Sequence, residues 1–231
     1  MVEHGFIWHS ILPLHEHVPS HVFHSCVAVV ILAVFGWRIR ASLKKSSDPL
    51  VPDTTFSIRN VFEIVVQAIT SQVRGVIGPS GDRYLWLIGG LFLYIFVCNL
   101  LGLVPGFEPP TSNINTNLGM AATVFLVYNY YGFKEHGIKY LKHFTGPVIW
   151  LAPLMVLIEL MSHVFRPMAL SIRLFGNMFA DHVVLAIFGD LVPLLVPMIF
   201  LVLGMVVCLI QAFVFSLLAT VYIGLAVSHD H

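Results

Sequence analysis

The feature that most constrains this chain is a run without a single charged side chain, residues 191–228, preceded by a second long apolar run, residues 148–189. Drawn as helices at about 1.5 Å per residue, each reaches well over about 50 Å, against about 30 Å of bilayer hydrocarbon. One upright crossing does not need that length. Each run is therefore either two short spans with a break or one helix lying steeply tilted, nearly in the membrane plane. The first run offers Pro153 and Pro167 as breaks, whereas the second has Pro193 and Pro197 only near its start. This favours a long tilted hairpin of two near-horizontal helices, turning near Gly189 and Asp190.

Composition agrees with a membrane setting. Hydrophobic residues make up 58% of the chain and charged ones 10%, with a mean hydropathy of +0.88, outside the range of soluble domains. Twelve Lys and Arg balance twelve Asp and Glu, so net charge suggests neither nucleic acid nor an acidic partner. Cys26, Cys98 and Cys208 lie far apart in apolar segments without a C-x-x-C pair and read as buried structural thiols. The first residues, MVEHGFIWHS, lack a basic region ahead of their apolar residues and do not resemble a cleaved leader.

Charge placement orders the remaining segments. Residues 1–24 form a surface arm holding His4, His9, His15, His17, His21 and His24. A metal site is weighed there, but HEHVPSH misses the H-E-x-x-H register because Pro19 stands where the second histidine belongs. Solvated or interfacial histidines fit better. Residues 22–37 are apolar and end at Arg38, Arg40, Lys44 and Lys45, which by the positive-inside rule directs this span from outside to cytoplasm. Over residues 58–77, Val61, Ile64, Val65, Ala68, Ile69 and Val73 recur at helical spacing while Arg59, Glu63, Gln67 and Arg74 fall elsewhere. That pattern suits a helix along the cytoplasmic interface, or equally one packed on its own protein. Residues 84–104 return outward, a Pro- and Asn-rich turn follows with Glu108 as its only charge, and residues 118–133 come back to Lys134, Lys139 and Lys142. The reading is an all-α polytopic membrane protein of about six helices in one membrane domain: arm 1–24, first spans and interfacial helix 25–133, tilted hairpin 148–228.

Within the hairpin, PMALSIRLFGNMFADH places Arg173 in an oily segment. An ionised guanidinium in hydrocarbon costs about 2.5–3.5 kcal/mol on insertion scales, so such a residue is functional by default. Counted at about 100° per residue, Glu159, Ser162, His163, Arg166, Arg173, Asn177 and Asp181 share about a third of one helix circumference, although a kink at Pro167 would shift that phase. A polar stripe of this kind faces a partner, an aqueous cavity or another helix. The alternative is an arginine paired with Asp181 or Glu159 to hold helices together. Arg166 either snorkels or pairs with Glu159. His182 is a candidate proton-transfer group or a hydrogen-bonded core histidine. On the final run Gln211 shares a face with Tyr222, either lining a path, capping Arg173 or making a plain interhelical hydrogen bond.

SIRLFGNMFADH with RP six residues upstream, together with NLLGLVPGFEPPTSNINTN and QAFVFSLLATVYI, resembles subunit a of bacterial F-type ATP synthases over most of the chain from Tyr84 onward. The resemblance implies a non-catalytic stator subunit in the bacterial inner membrane, with its N-terminus outside and C-terminus cytoplasmic. It would be set against a ring of c subunits and a b-subunit peripheral stalk, with two offset proton half-channels. It implies no cofactor, no resident metal, no nucleotide contact and no nucleic acid. By motif position Arg173 would face the ring carboxylates, with Glu159, Asn177, His182 and Gln211 near the half-channels. One departure stands out: many relatives carry a titratable group seven residues before Gln211, where this chain has Gly204. Asp181 or Glu159 is then the nearest acidic substitute. Rival readings are a stand-alone proton-coupled transporter, which lacks the internal repeats expected of it, and an intramembrane hydrolase, which lacks a nucleophile beside the N-terminal histidines.

Overall fold

A computed structural model describes residues 19–45, 58–104, 107–137, 152–191 and 195–227. Regular structure among them is entirely helical: α1 (Ser20–Lys45), α2 (Ile58–Ile77), a 3-10 turn (Pro79–Tyr84), α3 (Leu85–Leu101), a second 3-10 turn (Pro110–Ser112), α4 (Ile114–His136), α5 (Ala152–Leu191) and α6 (Leu195–Val227). The all-α class, the helix along residues 58–77 and the long terminal hairpin agree with the sequence. His4, His9, His15 and His17, Lys139, Lys142 and Pro193 lie outside the described residues.

Among the described residues, four stretches are long and apolar enough to cross a bilayer: Ser20–Ser42, Pro79–Leu101, Pro153–Asp181 and Met198–Val227. The return crossing expected over residues 118–133 is a helix of 23 residues, but it is not among these four. Asn115, Asn117 and Asn129 lower its hydropathy. Its inner face, including Asn117, Met120, Ala121, Val124, Tyr128 and Gly132, is covered by neighbours. Asn113 caps its start, the side-chain oxygen accepting from the Asn115 amide at 2.9 Å.

The expected hairpin of α3 and α4 is opened by the last helix. α3 packs mainly on α6, and α4 packs on both α5 and α6, so α6 lies between the two arms. One core results, drawing Leu87, Ile88, Leu91 and Ile95 from α3, Val124 and Tyr128 from α4, Leu170 and Leu174 from α5, and Ala212, Phe215, Ala219 and Ile223 from α6. α1 joins through a smaller cluster of Ala28 with Cys98 and Leu101. Cys98 and Cys208 are buried thiols as expected, but Cys26 is exposed on α1, because only one side of that helix has a neighbour among the described residues.

α2 presents Val61 and Ile64 outward while burying Ile69 and Val73. Arg59, which falls off the apolar stripe, is buried and ion-paired to Glu63 one turn on at 2.7 Å. The far end of α6 rests on α2, where Gln72 Nε2 donates to Thr220 Oγ1 at 3.3 Å. α2 also packs on α1, where Ile39 lies against Arg59 and Phe62, so it bridges the ends of α6 and α1. Near the opposite end of α1, Ser20 Oγ donates to Glu108 Oε2 at 2.6 Å. A buried network sits beside it: Thr111 Oγ1 donates to Asn99 Oδ1 at 2.7 Å, and Asn117 Nδ2 to the Thr111 carbonyl at 2.8 Å.

α5 has 40 residues, about 60 Å at 1.5 Å per residue, and α6 has 33. A rod that long fits inside about 30 Å of hydrocarbon only when strongly tilted. Pro197 lies in the first turn of α6, where a missing N–H costs nothing, whereas α5 runs on through Pro167.

Candidate functional site

A proline inside a helix has no N–H for the carbonyl four residues back and crowds that carbonyl. In α5 this leaves the carbonyl of His163 without its helical donor, at the midpoint between Glu159 and Pro167. One turn further on, Ser171 Oγ donates to the Pro167 carbonyl at 2.9 Å.

The polar residues of α5 divide among three surroundings. His163, 8% exposed, turns to α4. Its Nε2 donates to Asn129 Oδ1 at 3.0 Å, and its ring lies edge-on to Phe125 and Tyr128 at 5.6 and 5.3 Å. Glu159 and Arg166 form an ion pair at 3.5 Å, and the Arg166 guanidinium stands 5.6 Å over the ring of Tyr222 on α6. Of the two roles weighed for Arg166, pairing is the one observed. Further along, Asn177 Nδ2 donates to Gln211 Oε1 at 2.6 Å. Gln211 is 3% exposed, and its own Nε2 has no partner among the described residues. Asp181 is half-buried. The backbone of His182 continues α5, while its side chain lies outside the described residues.

The pairs Arg166–Tyr222 and Asn177–Gln211 are eleven residues apart on both helices, so they define one antiparallel register. Three turns, about 16 Å, separate them. Arg173 stands between the two, and it faces the other way. Its side chain is exposed and makes no hydrogen bond or ion pair among the described residues. The pairings weighed from the sequence are therefore absent: Glu159 is engaged by Arg166, and Gln211 is bonded to Asn177. Ala169, Ile172, Gly176, Phe179 and Ala180 share the exposed face with Arg173. A Cβ placed on Gly176 would meet nothing within 4 Å. α6 adds Val202, Val206, Leu209 and Phe213, all exposed. The outcome is one fixed cation on a broad apolar surface kept low by small residues.

At Gly204 a Cβ would come within 2.8 Å of Leu103 Cδ2, so that leucine occupies the space a side chain at this position would need. In the register above, Asp181 falls beside Val207 and Cys208, one turn from Gly204. Sequence reasoning singled out most of these residues but missed Asn129, Asn99, Thr111 and Asn117 as partners. An asparagine within an otherwise apolar helix was the available signal. Among the described residues, no three His, Cys, Asp or Glu side chains group as metal ligands.

Residues 22–224 match the family described as ATP synthase A chain. "ATP synthase subunit a" of Bdellovibrio bacteriovorus is 44% identical over 228 residues, covering 98% of this chain and 100% of the relative. "ATP synthase subunit a 2" of Syntrophotalea carbinolica is 46% identical over 212 residues, 92% of this chain and 87% of the relative. "ATP synthase subunit a" of Nitratidesulfovibrio vulgaris is 44% identical over 215 residues, 92% and 88% respectively. With its helices, its terminal hairpin and likeness along nearly its whole length in agreement, the chain belongs to the ATP synthase A chain family, a multi-pass membrane protein.

Proposed function

We propose that this chain is the ion-translocating stator of a rotary ATP synthase and that Arg173 is the charge facing the carboxylates of a ring of c subunits. The observation that carries the reading is the placement of Arg173: exposed, without a partner among the described residues, on an apolar face whose neighbours Ala169, Gly176 and Ala180 let another helix approach closely. A guanidinium in that position calls for an anion from outside the chain.

The chemistry follows from charge alone. A protonated ring carboxyl is neutral and passes through lipid. Beside Arg173 its ionised form is favoured, because an opposite charge nearby stabilises the carboxylate. The released proton leaves on one side of the arginine, and the carboxylate is reprotonated from the other. Arginine stays charged throughout, so it neither carries the proton nor passes it between the two paths. The membrane potential biases the direction by about 2.3 kcal/mol per charge per 100 mV.

On this reading the polar crossings flanking Arg173 mark the two proton paths. Glu159, with Arg166 and Tyr222, serves the cytoplasmic path, toward the end of α6 that rests on α2. Asn177, Gln211, Asp181 and His182 serve the outer one, with Asp181 supplying the carboxylate that Gly204 does not. Orientation follows the basic end of α1: N-terminus outside and α2 along the cytoplasmic face of a bacterial inner membrane, with a b-type peripheral stalk completing the stator.

The test is Arg173→Ala, read as ATP-driven proton pumping in membrane vesicles with the ring still co-purifying. Pumping is expected to be abolished. Normal pumping by a variant that retains its ring refutes the assignment.

A further inference from the structure

We infer that His163 is a positioning residue: its bond to Asn129 pins α5 at the hinge made by Pro167 and so sets the orientation of the Glu159 half of the helix relative to the Arg173 half. The inference rests on the function proposed above but concerns a residue which that mechanism does not use.

Three observations converge on it. First, the helix is weakest where its ladder is interrupted, and Pro167 removes the donor that belongs to the carbonyl of His163 itself. Second, the side chain of that same residue is held by another helix. The Asn129 amide donates to the Phe125 carbonyl at 2.8 Å, which turns its oxygen toward His163, and His163 Nε2 donates to it at 3.0 Å. The imidazole is also wedged edge-on between Phe125 and Tyr128. Third, the contacts close a ring around the hinge. Tyr128 leans on Tyr222 at 6.3 Å, Tyr222 lies under Arg166, and Arg166 reaches back to Glu159. Thus α4, α5 and α6 are tied together at the turn of α5 where Pro167 interrupts the hydrogen-bond ladder. Arg173 lies ten residues beyond His163, about 15 Å along the axis, so a change of about two degrees at the hinge already moves it by about 0.5 Å. Displacements of about 1 Å in a reacting geometry already cost about a hundredfold in rate.

The placement also fixes what His163 must supply: a short, rigid N–H donor reaching Asn129. A glutamine keeps such a donor at comparable reach, whereas alanine removes it and asparagine falls short.

The experiment uses the assembled synthase in native membrane vesicles and compares His163→Ala, His163→Gln, Asn129→Leu and Arg173→Ala for ATP-driven pumping, its pH profile and ring co-purification. Expected results are a fivefold to tenfold loss of pumping in His163→Ala and in Asn129→Leu, no further loss when the two are combined, and recovery to within twofold in His163→Gln with an unchanged pH profile. The ring stays bound in each case. A silent Asn129→Leu overturns the proposal. A His163→Gln variant as impaired as His163→Ala, or one with a shifted pH profile, also overturns it, because the imidazole would then be titrating. Should His163→Ala fail to insert, Asn129→Leu and His163→Gln still decide the matter. Arg173→Ala separates the two levels: if it pumps normally the function proposed above fails, and if it is inactive while the hinge variants are silent only the present inference fails.

Discussion

The amide bridge between Asn177 and Gln211 yields a prediction in which the two ends of one hydrogen bond are not equivalent. Asn177 is half-buried, so its side chain turns toward the surface when released; Gln211 is 3% exposed and already holds a buried N–H pair without a partner among the described residues. Replacing Asn177 with alanine removes the partner that Gln211 Oε1 has among the described residues and strands the amide, a cost of about 1–3 kcal/mol for buried polar groups left unsatisfied. Replacing Gln211 with leucine removes the same bond, 2.6 Å long, but takes the stranded amide with it. Its loss is then limited to the net value of an interhelical bond in a membrane, about 0.6 kcal/mol on average and at most about 1.7. Asn177→Ala is therefore expected to destabilise more than Gln211→Leu, and once Gln211 is leucine the Asn177 change should cost little. The assay is equilibrium unfolding of the purified chain in mixed micelles with increasing dodecyl sulfate, followed by far-UV circular dichroism, on the complete double-mutant cycle. Two results refute the reasoning: Gln211→Leu at least as costly as Asn177→Ala, or a double mutant whose effect is the plain sum of the singles.

Two further predictions rest on other contacts. Asn117→Leu leaves the Thr111 carbonyl without its buried donor and should cost about 1–3 kcal/mol, seen as earlier unfolding and faster proteolysis at the turn between α3 and α4; protection equal to the native chain would count against the network. Arg83 pairs with Glu135 at 2.6 Å while its guanidinium lies 4.9 Å over Tyr84. Both charged side chains are partly exposed, so Glu135→Gln should cost no more than about 1 kcal/mol and matter less in high salt; a larger, salt-independent loss would contradict this view.

Much of the architecture was legible because it follows from length and hydropathy. Runs of some forty apolar residues admit few folds in a bilayer, and α5 and α6 begin and end within a few residues of where proline and polar residues suggested. α2 was readable from its amphipathic spacing. What pattern could not reveal was which helix would neighbour which. The stripe computed for α5 is real in angle, yet its members turn to α4, to α6 and outward, because a third of a circumference is wide enough to meet three surroundings in a crowded bundle. His163 faces α4 only since Asn129 waits there, and helical spacing holds no information about a residue on another helix. Arg59 is a case that the amphipathic spacing left open: it falls off the apolar stripe, and Glu63 one turn along the same helix lets it pack inside. The insertion of α6 between α3 and α4 was likewise invisible, since residues adjacent in sequence are the natural first guess for adjacent helices.

That insertion bears on how the protein is made. A ribosome delivers α3 and α4 well before α6, and the slot between them needs Ala212, Phe215, Ala219 and Ile223 to fill it. Until the final helix arrives, the amide groups of Asn99, Asn117 and Asn129 belong to helices whose inner faces look onto lipid or onto whatever assists insertion. The nascent membrane domain must therefore wait for its last segment before it acquires a core. Quality control acting in that interval would discriminate sharply between chains that have received α6 and chains that have not, and a membrane insertase able to shelter the half-built slot would raise the yield of the first at the expense of the second.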